Sequence, residues 1–171
     1  YEYQKKYRES IGELIKHLSK NPGYLNYIVN RVKTFLTEDS NLLSVLKKNL
    51  ENSSNPLQME LLAQAYSHTG HYDEALAIYR NLGADKVLGY FKEAFNLRNF
   101  GLMERTYEAY YELSTDAVSR AEISVIMAEF YYMTGKLAEA KNLLIPLLND
   151  EDLQNKKVRY KTQANRTIRE L

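Results

Sequence analysis

Two short apolar-striped runs that meet at a glycine constrain this chain more than any other feature. From Leu61 to Tyr79, apolar residues recur at helical spacing on both sides of Thr69-Gly70. Glycine takes the left-handed backbone that commonly ends a helix, so Gly70 reads as a tight turn between two helices. Small residues, Ala63 and Ala75, stand where those helices must touch. Tyr66, Tyr72 and Tyr79 fill the space between them. A strand-rich fold does not suit such a segment.

The same arrangement recurs along the chain. Asn21-Pro22 and Asn55-Pro56 lie 34 residues apart. Each pairs a good N-cap residue with a proline suited to the first helical position. The helices that follow align Ile28, Val29 and Val32 with Leu62, Ala63 and Tyr66. A further copy runs from Ala121 to Leu148, with Gly135 in the place of Gly70. There Ala128, Tyr131, Leu137, Ala140 and Leu144 match Ala63, Tyr66, Tyr72, Ala75 and Tyr79. The two turn glycines are 65 residues apart, which leaves room for one copy between them. It falls at 85–113, where Phe91, Ala94, Phe100, Met103, Tyr107 and Tyr110 take the packing places and Arg98 or Asn99 the turn. Asn tolerates the left-handed conformation that such a turn uses.

This 34-residue helix-turn-helix pattern resembles the tetratricopeptide repeat (TPR), whose units stack into a continuous core. The resemblance covers about residues 22–150. It departs from the family early in the first helix, where Met59 and Ser124 stand in place of a large aromatic. It implies an all-α, right-handed α-α solenoid of antiparallel helix hairpins, about ten helices in one domain spanning 1–171. The expected elements are an N-terminal helix at 3–19, repeats at about 22–51, 56–82, 85–113 and 121–148, and a capping helix at 152–171. In the flanks, Tyr3, Tyr7, Ile11, Leu14, Ile15 and Leu18 form one apolar stripe, and Leu42, Leu43, Leu46 and Leu50 another after a cap region at Glu38-Asp39-Ser40.

Composition agrees with helices on short loops. Among 171 residues there are 7 Gly and 3 Pro, too few turn formers for a sandwich or barrel. The net charge of +1 gives no strong global field, but the charge is uneven. Residues 1–35 carry 7 basic and 3 acidic side chains, 101–155 carry 4 and 10, and 156–171 carry 6 and 1. Solvated helix faces account for this, and a basic end that docks on an acidic partner is the sharper alternative. With no Cys there is neither a disulfide nor a thiolate metal site. No run of about 18 apolar residues is present, so no transmembrane helix is expected. A first residue of Tyr1 and a pattern still running at Leu171 suggest a piece of a longer protein.

No catalytic constellation emerges. His68 and His71 flank a turn and do not share a helix face as paired zinc ligands do. Glu104, Glu108 and Glu112 recur every four residues, the pattern of a solvated face, with a basic segment as a conceivable ligand. The chain has no glycine-rich phosphate loop and no nucleophile elbow. We therefore expect no enzyme, no cofactor and no metal. Nucleic-acid binding has one candidate, the basic segment 156–169 with Tyr160, and the acidic 101–155 region opposes it.

In a TPR array the first helix of each pair lines the concave side. By resemblance, the groove is then Leu57, Glu60, Gln64 and His68 from one unit, Leu88, Lys92 and Asn96 from the next, and Val125, Glu129 and Tyr132 from the last. The expected partner is a protein, as an extended peptide or a helix, held through Gln64 and Asn96 with Tyr132 as an apolar anchor. Assembly with further copies or flanking repeats is the alternative. The family's best-known groove grips a terminal carboxylate with Lys and Asn. The matching places here are Glu60 and Gln64, and an acidic residue repels that ligand.

Overall fold

A computed structural model describes residues 2–149, and the side chains of 6–149. The expected capping helix at 152–171, and the basic segment within it, lie outside the described residues.

Among the described residues the chain is all-helical, with nine α-helices, one 3-10 turn and no strand. In order they are α1 (Glu2–Lys20), a 3-10 turn (Pro22–Tyr24), α2 (Leu25–Glu38), α3 (Leu42–Leu50), α4 (Pro56–His68), α5 (Tyr72–Leu82), α6 (Ala84–Asn96), α7 (Phe100–Leu113), α8 (Ala117–Met133) and α9 (Leu137–Asn149). The chain divides into two compact units, with the boundary between Lys86 and Val87 near the start of α6.

In the first unit α1 packs on α2, α3 and α4, while α4 packs on α2, α3 and α5. Ile11 and Leu18 of α1, Ile28, Val32 and Leu36 of α2, and Leu42, Leu46 and Leu50 of α3 are buried. The α2 and α3 sets recur every four residues and the α1 pair is seven apart, two helical turns, so each helix turns one stripe inward. Burying one such side chain contributes about 1.5–3 kcal/mol. Ala63 and Ala75 are fully buried, as their small size at a helix contact predicts. Tyr79 is buried too, whereas Tyr66 and Tyr72 are half-buried.

The two Asn-Pro marks differ in structure. Asn55 caps α4, its Oδ1 accepting from the backbone N–H of Leu57 at 2.9 Å and of Gln58 at 3.4 Å. Asn21 makes no such cap, and Pro22 opens a 3-10 turn before α2 begins at Leu25. The Asn21 amide lies instead against His17, 3.4 Å from its carbonyl oxygen and its Nδ1.

In the second unit α8 packs on α7 and α9. Its core includes Ala121, Val125, Ala128, Ala140 and Leu144, with Tyr131, Tyr132, Leu143 and Leu147 packed around them. The segment 85–113 buries Phe91, Ala94, Met103 and Tyr110. Phe100 does not follow: as the first residue of α7 it stays 48% exposed.

Three turns share one geometry. Gly70 has φ +82°, Gly135 +80° and Arg98 +52°. The residue after each sends its N–H back five positions: His71 to the Tyr66 carbonyl, Lys136 to Tyr131 and Asn99 to Ala94. This is the Schellman closure of a helix C-terminus. Between α6 and α7 it is Arg98 that takes the left-handed conformation, because Asn99 caps α7, its Oδ1 accepting from the Leu102 N–H.

Candidate functional site

Polar side chains of α2 and α4 gather on one side of the first unit. Pro56 and the Asn55 cap fix where α4 starts, and its 3.6-residue period then sets Glu60, Gln64 and His68 in one row. The row faces α2. Gln64 Oε1 accepts from Lys33 Nζ at 2.8 Å, and His68 Nε2 lies 3.0 Å from Thr37 Oγ1. Glu60 accepts from Lys86 Nζ at 2.7 Å.

Between the two helices lies a depression of about 370 Å³ lined by Leu25, Asn26, Val29, Asn30, Lys33, Glu60 and Gln64. Its floor includes the buried Val29, and Asn26 and Asn30 at its edge are exposed. The depression thus presents amide groups, one ammonium and one carboxylate over a small apolar floor. Such a lining can hydrogen-bond a peptide backbone at several points. The α2 contribution was not anticipated, although the 34-residue period carries it: Asn26 and Asn30 occupy the places of Glu60 and Gln64.

The remaining expected groove residues lie in the second unit. Lys92 and Asn96 are exposed on α6. Glu129 and Tyr132 are half-buried on α8, where Tyr132 packs against the Ala121–Leu144 core cluster. Val125 is no groove residue. It is 2% exposed and belongs to that core, since it shares a helix face with Ala121 and Ala128. Leu57 and Leu88 are half-buried.

A second polar cluster joins α7, α8 and the turn after α8. Lys136 Nζ donates to Glu104 Oε1 at 2.9 Å and lies 5.2 Å from the Tyr131 ring centroid. Burial, with the Glu104 carboxylate beside it, pushes the Tyr131 phenol up to about 12. The hydrogen bond to Glu104 raises Lys136 above its ordinary value. Nearby, Tyr107 shares a 3.0 Å hydrogen bond with Ser124, and burial raises its phenol as well. Of the Glu104, Glu108 and Glu112 row, Glu104 is therefore half-buried and paired, while the other two are exposed.

His68 and His71 do not converge: His71 Nδ1 lies 3.0 Å from Thr69 Oγ1, while His68 turns to Thr37. Among the described residues no group of three or more His, Asp or Glu could hold a metal ion, and no helix is long and apolar enough to cross a membrane. No protein-family model, curated protein or solved structure matches this chain.

Proposed function

We propose that the chain is a TPR-like helical-repeat scaffold that holds an extended peptide or a partner helix, without catalysis of its own. The observation that carries this reading is the depression between α2 and α4, edged by the exposed amides of Asn26 and Asn30. Three hairpin turns of one geometry support the repeat, and repeats of this kind bind through the surface their first helices share. Asn26, Asn30 and Gln64 supply donors and acceptors for a peptide backbone, Glu60 and Lys33 set its charge register, and Val29 meets an apolar side chain.

The test is affinity capture on the immobilised chain, comparing the natural protein with an Asn26→Ala/Asn30→Ala/Gln64→Ala variant. The expected result is loss of a protein that the natural chain retains, with helical circular dichroism and melting temperature preserved. An identical retained set on a folded variant refutes the site.

A further inference from the structure

The left-handed position in the α6–α7 turn is held by an arginine where Gly70 and Gly135 hold its two counterparts. Any residue with a Cβ is disfavoured in that conformation, and strain of this kind points to a functional demand on the side chain. Arg98 lines a trough of about 450 Å³ together with Phe95, Phe100, Met103, Phe130, Met133 and Thr134.

The trough is apolar apart from Arg98. Met103 and Phe130 form a buried floor, and Phe100 lies tilted against Phe130 with ring centroids 4.8 Å apart. Phe95, Phe100 and Met133 stand 41%, 48% and 67% exposed, with Leu97 and Leu137 exposed beside them in the chain. Thr134 adds no free donor, because its hydroxyl donates to the Phe130 carbonyl at 3.0 Å. Contiguous apolar surface of this kind marks an interaction site. Its walls are too exposed to enclose a small molecule, which pockets usually bury by about 70–90%. They suit side chains presented on another backbone.

Among the described residues the Arg98 side chain has neither a hydrogen-bond nor an ion-pair partner. A lone guanidinium at an apolar wall selects for a carboxylate held beside apolar groups, and it can engage that carboxylate in two parallel bonds. We propose that this trough docks a segment of a partner protein that presents two or three large apolar side chains next to an Asp or Glu, whose carboxylate pairs with Arg98. The trough shares no residue with the α2–α4 depression, and the inference stands whether or not that depression binds a peptide.

Panning phage-displayed random dodecapeptides on the full chain tests it. Enriched sequences are expected to combine Leu, Ile, Phe or Trp with an adjacent Asp or Glu. Fluorescence anisotropy of a labelled enriched peptide should then show about tenfold weaker binding to Arg98→Gly, the scale of one charge-assisted bond. Arg98→Lys should restore part of that loss, and Met133→Glu should abolish binding. Arg98→Gly relaxes the turn, so its melting temperature holds or rises and misfolding does not confound the comparison. A consensus without acidic residues, equal affinity for Arg98→Gly, or no enrichment overturns the proposal. Self-association of the full chain that Met133→Glu abolishes overturns it in favour of a second copy as occupant.

Discussion

Arg98→Gly and Gly135→Ala should move the stability of the second unit in opposite directions. The two positions close the same hydrogen-bonded turn, at φ +52° and +80°. A Cβ in that region costs about 1–2 kcal/mol, because it crowds the neighbouring carbonyl oxygen. Glycine escapes that cost but leaves a more disordered unfolded chain, worth about 0.4–1 kcal/mol in the opposite sense. A Cβ built at Gly135 meets no atom within 4 Å, so no clash adds to the conformational effect. The difference destabilises Gly135→Ala by about 0.5–1 kcal/mol. For Arg98→Gly the same difference returns with its sign reversed, a gain of about 0.5–1 kcal/mol. Urea unfolding followed by helical circular dichroism reads both. With a slope of about 1–3 kcal/mol per molar, the midpoints should shift by roughly 0.2–1 M, down for Gly135→Ala and up for Arg98→Gly. A lowered midpoint for Arg98→Gly, at unchanged slope, refutes the idea that the arginine sits there at the expense of the fold.

Three further outcomes follow from the packing and the polar clusters. Asn55→Ala removes the side-chain acceptor for two N–H groups of α4 and should destabilise by about 1 kcal/mol in chemical unfolding; an unchanged midpoint contradicts the cap. Ala128→Leu overfills the fully buried contact with the Ala140 side of the core and should cost about 1–3 kcal/mol, seen as a lowered melting temperature. The Tyr131 phenol, held near 12 against about 10 when unfolded, keeps its proton in the folded state where the unfolded chain releases it. Its contribution to stability is therefore complete below pH 10 and fades as pH climbs toward 12. The tyrosinate absorbance lost in Tyr131→Phe should titrate near 12, and a difference spectrum titrating near 10 dismisses the buried, Glu104-coupled setting.

Helix positions were legible in the sequence because periodicity and turn chemistry agreed. The runs expected at 56–82 and 85–113 are met by α4 through α7 to within a residue at their outer ends, and Gly70 and Gly135 fall where positive φ is required. What misled were signals with more than one physical use. Asn21-Pro22 looks like Asn55-Pro56, but the Asn21 amide faces His17 and the cap is lost. Asp116 caps α8, its side chain accepting from the Ser119 N–H, so that helix starts at Ala117, four residues before the repeat was expected. Val125 reads as groove or core depending on which stripe of α8 faces α9, and burial decides for core. The second wall of the depression was within reach, since the period already paired Asn26 and Asn30 with Glu60 and Gln64. Hydrogen bonds between helices were beyond it: nothing in the spacing of Lys33 and Gln64, 31 residues apart, announces their bond.

That bond sharpens what the proposed peptide site should do. Gln64 Oε1 is already satisfied by Lys33, and the pair is partly buried. A peptide N–H that donates to Gln64 Oε1 exchanges one bond for another and gains little. Asn30 is exposed, so a bond to its amide is a net gain of about 0.5–1.5 kcal/mol, roughly two- to twelvefold in affinity. With a peptide, mapped from a captured partner, that donates its backbone N–H groups to this row, Asn30→Ala should therefore weaken binding several-fold and Gln64→Ala hardly at all. In a Lys33→Met background the Gln64 carbonyl loses its internal donor and becomes available to the peptide. There Gln64→Ala should weaken binding to a similar extent as Asn30→Ala, and the difference between the two backgrounds measures the coupling. Calorimetric titration of the four combinations of Lys33→Met and Gln64→Ala decides it. A large loss on Gln64→Ala with Lys33 in place means that the ligand accepts from the Gln64 Nε2 amide or displaces Lys33, and the acceptor role argued for Gln64 Oε1 is then wrong.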